Sequence, residues 1–145
     1  MKYLLGIVFL ICTIKTHAQN KEDTILGKWE STEKNLIVQV YKQDNTFKAR
    51  IVWFYDEIDT AQVNTRLDEK NPDKALQSRK IIGLDVLSGL VYNPRQNKWT
   101  GGKIYDTHSG KTWKATVRLT SPDLMNVRGF YGVQLLGKTL NFTRL

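Results

Sequence analysis

The sequence predicts an all-β fold: a small antiparallel up-and-down barrel of about eight strands, with one long insertion after the third. Three observations carry this. Apolar residues alternate with polar ones along most of the chain, and helical periodicity is scarce. Turn signals break the alternation at short, even spacing. The 145 residues contain no internal repeat and no linker that would imply a second domain.

The first segment stands apart from the fold. Lys2 precedes an apolar run from Tyr3 to Ile14 that only Gly6 and Thr13 interrupt, and Thr16-His17-Ala18 provides small residues before a cut. This pattern predicts a signal peptide over 1–18, removed to leave a chain beginning at Gln19. The run is about a dozen residues, short of the roughly 20 that cross a bilayer, so no transmembrane anchor is expected after cleavage. The destination is the periplasm or the exterior. Cys12, the only cysteine, lies in that run. The domain over 19–145 therefore has no disulfide, no thiolate chemistry and no cysteine-ligated metal.

Strands are expected near 26–32, 35–42, 46–55, 80–91, 98–105, 111–120, 124–130 and 133–144. In the second, Leu36, Val38 and Val40 alternate with Ile37, Gln39 and Tyr41. In the third, Phe47, Ala49, Ile51 and Trp53 share one face. The sixth is the clearest half-buried strand, with Trp113, Ala115, Val117 and Leu119 against Thr112, Lys114, Thr116 and Arg118. The turns fall at Gln43-Asp44-Asn45, Asn93–Asn97, His108-Ser109-Gly110 and Ser121-Pro122-Asp123. The insertion, 56–79, holds six acids and no alternation, and Asn71-Pro72-Asp73 is placed to cap a short helical turn through Leu76. A connection of this length is either a functional element, such as a lid, or a mobile one.

The formal net charge is +8 and unevenly spread. Residues 19–78 carry nine Lys/Arg against eleven Asp/Glu, whereas 79–145 carry eleven against three. The basic half is either solubilising charge on outward strand faces or a surface for an anionic envelope partner. Nucleic acid does not suit an exported chain.

Several motifs resolve into structure. Gly132–Thr139 matches a phosphate-binding loop letter by letter, but that loop needs a following helix, and Leu140–Arg144 reads as strand. His108 is the one histidine beyond the leader and sits in a turn, where Asp106 is the natural capping residue. No cofactor and no metal site is implied. Paired carboxylates offer general acid–base chemistry without histidine. Asp85 or Asp106 would serve if it faced the barrel interior opposite Arg79, Lys103 or Arg128. The aromatic residues Trp99, Tyr105 and Trp113 cluster around Gly101-Gly102. They either pack the core or, with Trp53, Phe54, Tyr92 and Tyr131, line a pocket at a barrel mouth.

Gly27-Lys28-Trp29 resembles the Gly-x-Trp opening of lipocalin-like barrels, and Arg144 resembles the basic residue that packs across that tryptophan. Longer blocks add to this: Arg79–Leu87, Trp99–Asp106 with Gly110–Trp113, Val127–Phe130 and Leu136–Arg144. In this order the chain is similar to the bacterial family known as domain of unknown function 2147. Thr107-His108 stands where that pattern has a proline-containing turn, and Phe142 where many members carry tryptophan. The resemblance implies export and a small β-barrel domain, with Gly27, Trp29 and Arg144 as structural residues, and it implies no activity or catalytic residue.

Three functions compete. The first is a non-enzymatic envelope protein holding a small apolar or amphipathic molecule, with Trp53, Asp85, Trp99, Lys103, Tyr105, Trp113 and Arg128 as ligand contacts. The second docks the basic half on an anionic envelope polymer or protein, and is the one that salt would weaken. The third is an enzyme built on Asp85, Asp106, Tyr105 and Lys103 or Arg128, which requires those groups in one concavity.

Overall fold

The computed structural model describes residues 20–57, 60–133 and 137–145. Its strands are β1 (Gly27–Ser31), β2 (Leu36–Gln43), β3 (Thr46–Phe54), β4 (Asp85–Asn93), β5 (Lys98–Asp106), β6 (Lys111–Ser121), β7 (Leu124–Phe130) and β8 (Lys138–Arg144). Each pairs antiparallel with the next, and β8 returns to β1, so the sheet is a closed up-and-down barrel. The seam places Trp29 opposite Arg144, Glu30 opposite Thr143 and Ser31 opposite Phe142. The leader expected over 1–18, and Gln19 after it, lie outside the described residues.

Two strand starts lie five residues later than expected, and the other boundaries agree within two. The fourth strand begins at Asp85 rather than at 80. Before it the chain turns, with Leu84 N–H donating to Ile81 O, and only Lys80 bridges to Leu67. The last strand begins at Lys138, and residues 134–136 of the expected strand are outside the described residues. Lys138-Thr139 of the phosphate-loop pattern therefore open a strand. The capped turn in the insertion is present as a 3-10 helix, Lys74–Leu76, with Asp73 accepting from Ala75 N–H.

The two ends of the barrel are built differently. At one end a 3-10 helix, Lys21–Ile25, enters with Ile25 fully buried. Trp29 Nε1 donates to Ile25 O at 2.9 Å and Trp99 Nε1 to Glu22 O at 3.1 Å. The Arg144 guanidinium lies 4.1 Å from the Trp29 ring centre. It donates to Leu26 O and Thr24 O, carbonyls that the short helix leaves open, and to Pro122 O between β6 and β7. Gly27 makes room for this, because a Cβ there would stand 3.1 Å from Arg144 Nη1. Trp29, Phe47, Trp99 and Met125 fill this end and are essentially inaccessible. At the opposite end, Leu36, Phe54, Ile81, Ile82, Ile104 and Leu140 pack on the core but remain half-buried.

Bulges control which side chains reach the interior. Between β2 and β3, Ile37 pairs with Trp53 but Val38 with Ile51, so Val52 is an extra residue and the parity of β3 changes. Phe54 then packs on the core, and Trp53, expected on the Phe47 face, points outward beside Ile37. A second bulge lies in β5, where Trp99 pairs with Val117 and Gly102 with Ala115.

The seam makes a stability forecast. Trp29→Ala should cost about 3–5 kcal/mol, as for other buried large-to-small changes. Arg144→Ala should cost about 1–3 kcal/mol, because it leaves the part-buried Leu26 and Thr24 carbonyls without their donor. Urea unfolding of both single variants and the double variant should show strong non-additivity. Simple additivity would mean that the ring–guanidinium contact does not couple the chain ends.

Candidate functional site

Strand parity sets the site. An alternation running straight through β5 would put Lys103 and Tyr105 on the inner face with Trp99. The extra residue before Gly102 reverses this, so both leave the barrel wall outward. Asp85 also faces out. Tyr41 Oη donates to both its oxygens at 2.8 Å, and Arg50 Nε stands 3.8 Å away while its guanidinium stacks 4.1 Å from the Tyr41 ring centre. Arg128, which pairs with Thr116 and Thr139, is on the outer face as well. None of these charges faces the interior, and desolvation explains it: an interior of apolar side chains would strand each charge.

The insertion folds back onto this outer surface, organised by Asp68, one of its six acids. Asp68 is 0% exposed. Tyr105 Oη donates to its Oδ1 at 2.6 Å, and Asn71 Nδ2 donates to its Oδ2 at 2.8 Å. Arg79 Nε donates to the same Oδ2 at 2.9 Å, and Nη2 forms an ion pair with it at 2.9 Å. The backbone reinforces the hub through Asp68 N–H to Arg79 O and Ile81 N–H to Arg66 O. The β5–β6 turn is held against it too. Gly110 has φ +68°, and a Cβ there would fall 1.9 Å from Lys70 O, so only glycine fits.

Between insertion and wall runs a groove of about 240 Å³, lined by Asn71, Pro72, Arg79, Asp85, Val86, Ser88, Lys103, Tyr105 and Thr112. Three of the expected contact residues, Asp85, Lys103 and Tyr105, meet here. The others do not. Trp99 is 2% exposed and belongs to the plugged end, because its indole N–H is needed by a carbonyl of the entering helix. Arg128 lines a second groove of about 400 Å³ with Lys98, Thr116, Val117, Arg118, Asn126 and Thr139. Asp106 is in the turn as expected, accepting from His108 N–H and Ser109 Oγ, away from the Asp85 groove. Trp113 stands at the half-buried barrel end, edge-on to Tyr131 at 6.3 Å. Tyr131 and Val133 are 78% and 60% exposed.

Burial pushes the Tyr105 phenol above its ordinary pKa near 10, and the bond it donates to Asp68 adds to this. The fold holds the neutral phenol, so this stabilisation is complete below the unfolded pKa and disappears as pH rises through the higher native value. Urea midpoints measured from pH 8 to about 11 should therefore fall less steeply above pH 10 for Tyr105→Phe than for the parent chain. Identical slopes would disconnect Tyr105 from the hub.

The solved structure titled "Protein HP1028 from the human pathogen Helicobacter pylori belongs to the lipocalin family" is similar to this chain at a TM-score of 0.71 and 26% identity. The similarity covers 83% of this chain and 82% of that one. No curated protein matches the chain. The family model described as "Uncharacterized protein conserved in bacteria (DUF2147)" matches residues 27–144. That match runs from the first residue of β1 to the last of β8, and the chain belongs to the domain of unknown function 2147 family.

Proposed function

We propose that this chain is a non-enzymatic binding protein of the bacterial envelope that holds a small apolar or amphipathic molecule at the barrel end opposite the Arg144 plug. The difference in burial between the two ends supports this reading. Near the plug the interior is sealed by large side chains, whereas Trp113, Ile104, Phe54 and Leu140 at the other end are only half-buried. Exposed Tyr131 and Val133 extend that apolar surface outward. Aromatic and aliphatic walls beside polar loops suit a ligand with an apolar body and a polar head. The Helicobacter pylori structure, described as a lipocalin, has the same kind of barrel.

Dansyl-labelled undecanoic acid is a suitable probe. Fluorescence titration should give saturable one-to-one binding that changes little between low and high salt. Trp113→Ala and Tyr131→Ala should each weaken it about tenfold, equivalent to about 1.4 kcal/mol and within the range of an aromatic contact. Absence of saturation, or unchanged affinity in both variants, would reject the reading.

Export is part of the same proposal. Expression in a Gram-negative host should yield an envelope-fraction protein whose first residue, by N-terminal sequencing, is Gln19. A product in that fraction that still begins at Met1 would reject cleavage.

A second reading has its own observation. The outward positions of β5 to β7 carry Lys98, Lys103, Lys114, Arg118 and Arg128, with no acid among them. This wall favours an anionic envelope polymer, and binding of that kind would fall steeply with added salt.

A further inference from the structure

Among the described residues, the groove between the insertion and the outer wall holds a lysine, Lys103, that makes no ion pair. Lys103 stands directly opposite Lys114 across the β5–β6 pair. Like charges in that relation repel. Among the described residues, no carboxylate lies within ion-pair distance of either lysine. The acids near the groove are already engaged. Asp85 is held by Tyr41 and Arg50, and Asp68 by Tyr105, Asn71 and Arg79. Arg79 binds Asp68 through Nε and Nη2, and its third nitrogen, Nη1, takes no part in that pair. Ser88, which pairs with Lys103 across β4–β5, and Thr112 add hydroxyls to the lining.

We propose that this groove binds a small organic oxyanion, a carboxylate or phosphate ester of about the size of a hydroxy acid. Lys103 supplies the point charge and Arg79 presents its free edge, the two modes by which proteins grip oxyanions. Ser88 and Thr112 donate to the remaining oxygens. Asp85 retains lone pairs that can accept from a hydroxyl on the ligand. With a volume of about 240 Å³ the groove is at the small end of ligand sites, which suits a small metabolite. The buried Asp68 hub fixes Arg79 before any ligand arrives, which lowers the ordering cost of binding. The site lies on the barrel wall, so it stands independently of the ligand proposed for the barrel end.

The test is an amide-resolved NMR titration of the chain beginning at Gln19 with malate and, separately, with sn-glycerol phosphate, at constant ionic strength. Saturable shifts at Asn71, Ser88, Lys103 and Thr112 with either anion support the site, and the tighter of the two identifies the head group. Lys103→Gln should weaken binding at least tenfold while its melting temperature holds or rises, because the repulsion with Lys114 is gone. Lys98→Gln, on the same wall but outside the groove, should leave the affinity unchanged. No saturable shift with either anion overturns the proposal. Equal weakening in both variants also overturns it, since that would be diffuse charge attraction. Neither variant should alter binding of the dansyl probe at the barrel end.

Discussion

The guanidinium of Arg144 over the ring of Trp29 is the contact on which the rest of this barrel depends. A closed sheet has no exposed edge, but closure must be made by the two strands furthest apart in sequence. Here the seam is short, because β1 is only five residues long. Arg144 reinforces it in three directions: across the ring, to the carbonyls of the entering 3-10 helix and to Pro122 O in the β6–β7 turn. The helix so fixed then accepts the indole N–H groups of both Trp29 and Trp99. One side chain thereby joins the seam, the plug and the largest aromatic residues of the core.

The outer wall beside the insertion follows a different logic. Its order comes from a buried carboxylate rather than from a plug of apolar side chains. Isolating Asp68 from water is costly, and the cost is offset only because an arginine, a tyrosine and an asparagine converge on it. Those partners come from the insertion and from β5, so the connection after β3 is tied to the barrel wall. The tie creates the outer groove as a consequence, since Arg79 and Tyr105 are both hub partners and groove lining. A fold of this kind separates two surfaces by chemistry. One is a half-buried apolar end, and the other is a polar channel on the wall.

Most of the fold was legible in the sequence because period-two alternation and turn chemistry are local. The sixth strand, the turns at Asp44-Asn45 and Ser109-Gly110, the cap at Asp73 and the pairing of Trp29 with Arg144 needed only neighbouring residues or a short resemblance. The candidate site was less legible. The sequence points to Asp85, Lys103 and Tyr105, which do share a groove, yet no local pattern places that groove on the outer wall. Aromatic composition alone cannot separate Trp53, which faces outward, from Trp99, which is sealed under the plug.

By itself, then, the sequence determined the strand-and-turn pattern and the residues that close the barrel. Only the tertiary structure decided which face each functional side chain occupies and which acid is buried. The reason is physical. A single extra residue at a bulge, as at Val52 or before Gly102, inverts the parity of everything after it while leaving the local pattern unchanged. A buried carboxylate such as Asp68 owes its place to donors supplied by Arg79 and Tyr105, one from the far end of the insertion and one from another strand, and no local signal encodes that meeting.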